Sequence, residues 1–111
     1  MTSESRPPEQ EDSTRVVWKF PIWDGGDYST LDMPAGAEIL TVQFQEGAGA
    51  CMWALVDPKR PTERRRFRIA GTGHPINDTV ERYLGTFQMM GGALIFHAFE
   101  IAAAEGREGE S

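Results

Sequence analysis

The sequence predicts an all-β domain, a small antiparallel sandwich or barrel of about six or seven strands with at most one short helical turn. Three observations predict it. Short runs of alternating polar and apolar residues recur at regular spacing, Gly- and Pro-containing turns divide them, and one Gly-Gly pair joins two apolar runs as a hairpin.

Residues 1–15 carry four acids and two bases, and read as a disordered acidic leader. VVWKFPI (16–22) is the first strand, with Trp18, Phe20 and Ile22 on one face; Pro21, which has no N–H to give to a ladder, marks an edge or an end. Asp24-Gly25-Gly26-Asp27 is turn chemistry, and TLDM (30–33) is a short strand stopped by Pro34. AEILTVQFQ (37–45) alternates, with Leu40, Val42 and Phe44 on the apolar face and Ile39 and Thr41 opposite. CMWALVD (51–57) is apolar on both faces and reads as a central strand. RRRFRIA (64–70) turns Phe67 and Ile69 inward and Arg64, Arg66 and Arg68 outward.

Gly71-Thr72-Gly73-His74-Pro75 is a kinked loop, and Asp78 with Glu81 has capping-box spacing, which predicts one helical turn over 78–83. The hairpin YLGTFQMMGGALIFHAFEI (83–101) turns at Gly91-Gly92. Counting outward from a two-residue turn pairs Met90 with Ala93, Gln88 with Ile95, Thr86 with His97 and Leu84 with Phe99; the other face pairs Met89 with Leu94, Phe87 with Phe96 and Tyr83 with Glu100. The second face is the expected core wall. Residues 102–111 form a second acidic tail.

The single domain of 16–101 carries a charge of only −2, and each tail adds −2 to the total of −6. A nearly neutral domain between acidic tails argues against nucleic acid and anionic membrane as partners. No apolar run reaches the length of a membrane span, and the leader has no apolar signal segment. With Cys51 as the only cysteine, the expected location is a reducing cytoplasm.

Four features could carry chemistry. Gly71-Thr72-Gly73-His74 lets backbone amides approach an anion, with Thr72 and His74 as added donors; the plain alternative is a tight turn. Lys59, Arg60, Arg64, Arg65, Arg66 and Arg68 form a basic run, and Arg66 and Arg68 share a face of the strand that feeds this loop. The plain alternative there is a charged edge strand. His97 with Thr86 and Gln88 makes a polar cluster on the hairpin, and Trp53 sits on a face that a planar ligand or a second subunit could meet. No spacing supports a metal site, and no cofactor motif or nucleophile elbow is present.

Trp18-Lys19-Phe20-Pro21, Met33-Pro34-Ala35-Gly36-Ala37-Glu38-Ile39-Leu40, WALVDP (53–58), GTGH (71–74), GTFQ (85–88) and GGALIFHAFE (91–100) together resemble a family of small phage and bacterial proteins of unknown function. The resemblance covers about 16–101 and implies a self-contained β-domain of phage or prophage origin. It supplies no activity.

These readings lead to a non-catalytic, homo-oligomeric binding protein that captures an anionic small molecule through Arg66, Arg68, Thr72, Gly73 and His74, with Trp53, Gln88 and His97 nearby. Given the implied origin, a nucleotide-derived host-defence signal is one candidate ligand. The alternatives are a protein–protein module acting on a host protein or in a phage particle, and a small hydrolase using His74 and His97 as acid and base.

Overall fold

The computed structural model describes residues 14–103, so the two expected tails lie almost wholly outside the described residues. Seven strands run in order: β1 (Val16–Pro21), β2 (Tyr28–Pro34), β3 (Glu38–Gln45), β4 (Gly49–Val56), β5 (Thr62–Gly71), β6 (Val80–Met89) and β7 (Leu94–Ile101). They make two antiparallel-paired sheets, β1-β4-β3 and β2-β5-β7-β6. One core lies between the sheets, built from Ile22, Met33, Ile39, Val42, Met52, Ala54, Val56, Phe67, Ile69, Phe87 and Ala98. The all-β sandwich is therefore as the alternation implied, and β4 is the central strand expected from its two apolar faces.

The β6–β7 hairpin keeps the counted register near its turn, with Met89 opposite Leu94, Gln88 opposite Ile95, Phe87 opposite Phe96 and Thr86 opposite His97. The turn itself is a short 3₁₀ segment, Met90–Gly92, rather than a two-residue loop. Farther out the register shifts between Tyr83 and Gly85, so Tyr83 faces Phe99, not Glu100, and the expected Leu84–Phe99 pair is not formed. The extra residue of a bulge reverses the facing of everything beyond it. Tyr83 thus leaves the expected core wall and is 57% exposed. A register shift in the other sheet, between Ile39 and Thr41, corrects the reading of β3: Ile39 joins Val42 in the core, and Leu40 is turned out.

The helical turn expected over 78–83 is absent, and β6 begins at Val80 instead. The reason is topological. Both β5 and β6 pair antiparallel with β7, so they run parallel to each other. Residues 72–79 must therefore return the length of the sheet, from the end of β5 to the start of β6. They do so as a strap across the outer face, the side away from the core.

Candidate functional site

The strap is held at discrete points. His74 N–H donates to Gly71 O at 3.0 Å, closing the GTGH turn, and Gly73 takes a φ of 92°, where glycine is favoured. The His74 ring lies against Gly71, where a Cβ would stand only 3.1 Å from its Cε1. Thr72 Oγ1 bonds His97 Nε2 at 2.7 Å, and Thr86 Oγ1 bonds His97 Nδ1 at 2.9 Å. Tyr83 Oη bonds Thr86 Oγ1 in turn. Of the polar cluster expected on the hairpin face, Thr86 and His97 meet and are extended at both ends by Tyr83 and Thr72, whereas Gln88 lies outside this chain of bonds.

Arg68 explains how the strap lies flat. It faces away from Phe67 and Ile69, which are in the core, yet is only 8% exposed because the strap covers it. Its Nη2 donates to Pro75 O at 2.8 Å, Nη1 lies 3.4 Å from Asp27 Oδ1, and its guanidinium stands over the Tyr28 ring at 5.3 Å. Tyr28 Oη donates to Asp78 Oδ2 at 3.0 Å. That bond to the carboxylate, reinforced by desolvation, holds the Tyr28 phenol above its ordinary value of 10.0. Arg66 is half-buried, donates to Ala102 O at 3.2 Å and stacks over the same Tyr28 ring. Among the described residues no carboxylate lies within ion-pair distance of Arg66.

The expected binding residues thus fall into four places. Thr72, Gly73, His74 and His97 gather where the strap leaves β5. Arg66 and Arg68 lie farther along β5, and Arg68 spends its two terminal nitrogens on the fold. Trp53 is half-buried on the outer face of the other sheet, opposite Lys19 and Thr41. Gln88 is exposed near the hairpin tip, lining a shallow cleft at the seam where β3 meets β6. Trp23, whose ring packs 4.6 Å from Phe96 and 5.8 Å from Phe87, belongs to the core edge.

A cleft of about 390 Å³ opens between the GTGH turn and the start of β7. Gly71, Thr72 and His74 form its polar side, and Ala93, Leu94, Ile95 and Phe96 its apolar side. Such a mix of an apolar wall and a few placed polar groups suits a small ligand. Both His97 ring nitrogens are occupied by threonine hydroxyls, so His97 positions Thr72 on the cleft wall. Sequence reasoning found the loop and the hairpin separately; their meeting is a long-range contact that no local pattern records. No group of three His, Cys, Asp or Glu side chains among the described residues is arranged to hold a metal ion.

A larger, polar cleft of about 450 Å³ lies at the opposite end of the sheet, lined in part by Arg65, Glu63, Glu81 and Glu100. Arg65 closes it, donating to Glu100 at 2.8 and 2.9 Å and to Ala37 O at 2.7 Å. The pair with Glu100 joins β5 to β7 within one sheet, the bond to Ala37 O reaches the connection that leads into β3, and the Glu100 carboxylate holds the Arg65 guanidinium above its ordinary range. No helix among the described residues is long and apolar enough to cross a membrane.

The chain belongs to a family whose model matches residues 13–108, described as a domain of unknown function (DUF7352). No curated protein and no solved structure matches it.

Proposed function

We propose that this member of the family is a non-catalytic binding module that captures an anionic small molecule in the cleft between the GTGH turn and β7. The observation that carries this reading is the composition of that cleft, with Thr72 and His74 facing Leu94, Ile95 and Phe96. The ligand's charged group would meet the Thr72 hydroxyl, the His74 imidazole and the amides of the Gly73 turn, and its apolar part the β7 wall. Arg68 is assigned to the fold rather than to the ligand, and Arg66 is left as a separate, unspent charge. A phage or prophage origin, which the motif set suggests, would make a host-derived signal the natural target.

The test is a thermal-shift screen of small-molecule extract from expressing cells against three proteins. Stabilisation of the wild type that is lost in His74→Ala and kept in Arg66→Ala supports the cleft. Loss in Arg66→Ala with retention in His74→Ala moves the site to the Tyr28 side of the strap.

A second reading has one observation in its favour. Edge strand β1 exposes Val16, Val17 and Trp18 at 41%, 52% and 41%. An apolar edge that no other described strand covers is a template for strand pairing, so a host protein or a second copy of the chain could dock there. A stoichiometric macromolecular partner with no response to small molecules would favour it.

A further inference from the structure

We infer that Asp78 is a shared acceptor that can bond either Tyr28 or Arg68, so that the strap has two positions, of which the structure shows the one bonded to Tyr28. The inference starts from an unsatisfied group. Arg68 Nε is buried and has no hydrogen-bond partner, although the other guanidinium nitrogens have theirs. A buried donor left without an acceptor is costly, and a charged one more so. Its natural acceptor is in view: Asp78 Oδ2 stands 4.0 Å away, beyond hydrogen-bond reach, while its carboxylate accepts from Tyr28 Oη at 3.0 and 3.3 Å.

A displacement of about 1 Å in the strap would bring Asp78 to a bond with Nε in which both partners are charged, against the phenol–carboxylate bond it now holds, in which only the acceptor is. The charged group facing Asp78 is Arg68; Arg66 reaches the shared Tyr28 ring, and Asp27 competes for Arg68 from the β1–β2 loop, but it is 72% exposed at its side chain and sits 3.4 Å from Nη1, leaving Nε free. The two bonds are therefore close alternatives. What biases them is connected to the cleft, because the same strap begins at Thr72 and His74, on the cleft's polar wall. The significance for ligand capture rests on the function proposed above; the exchange of partners by Asp78 does not.

The experiment follows the Arg68 Nε–Hε signal by ¹⁵N NMR in the wild type and in Tyr28→Phe, which keeps the ring under both guanidinium groups and removes only the hydroxyl. Freed of its competitor, Asp78 is expected to bond Nε. The Hε proton then moves downfield and its exchange with water slows by about tenfold or more, the effect of one charge-assisted hydrogen bond. Should Tyr28→Phe fold poorly, Tyr28→Trp keeps an aromatic face without a hydroxyl aimed at Asp78 and carries the same expectation. An Nε–Hε signal unchanged in shift and exchange in a folded variant would overturn the inference. Ligand capture plays no part in this outcome, so failure of the exchange and failure of the cleft are told apart.

Discussion

Thr72 Oγ1 lies 2.7 Å from His97 Nε2, so the side chain of the strap's first residue is bonded to β7, the strand with which its neighbours Ala70 and Gly71 pair. Because Thr86 takes the other ring nitrogen at 2.9 Å, His97 ties β6, β7 and the strap together. Thr72→Val is expected to cost about 0.5–1.5 kcal/mol, the worth of one hydrogen bond. It should also raise hydrogen–deuterium exchange across 72–79 while leaving the β4 core protected. Urea unfolding and exchange mass spectrometry check the two parts.

Arg66 and Arg68 should behave differently despite their shared face. Arg68→Ala strips a buried guanidinium from Pro75, Asp27 and Asp78, and is expected to destabilise the domain by about 2–4 kcal/mol. Arg66→Ala removes one backbone bond and a stacking contact at a half-buried site, and should cost no more than about 1 kcal/mol. Chemical denaturation of the two single variants gives the comparison. Equal costs would contradict the anchoring role of Arg68.

Arg65 and Glu100 form a two-bond pair whose side chains are 13% and 12% exposed. Glu100→Ala leaves that guanidinium with only the more distant Glu63 carboxylate at 3.9 Å and is expected to cost about 3 kcal/mol, whereas replacing both by Met and Leu should recover most of the loss. A double-mutant cycle measures it.

Tyr28 supplies a pH dependence whose sign is fixed. Its folded value lies above the ordinary 10.0 because Asp78 accepts its proton, so the bond's contribution is fully present below pH 10 and lost as pH rises through the folded value. Stability should fall above pH 10 more steeply in the wild type than in Tyr28→Phe. Phenolate absorbance in a Tyr83→Phe background should titrate late, and a normal titration would contradict the bond.

Much of this fold is legible in the residues, and the failures have a common cause. The Gly91-Gly92 pair sets the hairpin, and counting from it places Thr86 beside His97 and Phe87 beside Phe96. The count fails past Gly85, because a bulge adds a residue without changing the apolar pattern that would announce it. The same holds at Leu40, where a clean alternation conceals a shift that buries Ile39.

The site was visible in pieces. GTGH and His97 each stand out, but their contact depends on the pairing of β5 with β7, which sets Gly71 opposite Phe96 and is decided over long range, as is the parallel placement of β5 and β6. The capping-box spacing at Asp78 and Glu81 was a local signal overridden by that placement. Arg68 looked like a free outward charge for the same reason: nothing near it in sequence says that Pro75 and Asp78 will fold back over it.

The most direct test of the binding reading is a native mass spectrum of the protein as purified from cells, beside His74→Ala and Arg66→Ala. The account predicts an excess of roughly a few hundred daltons per chain, matched to a cleft of small-ligand size. That excess should be lost in His74→Ala and retained in Arg66→Ala. A bare wild-type mass, or an excess that survives His74→Ala, would contradict it.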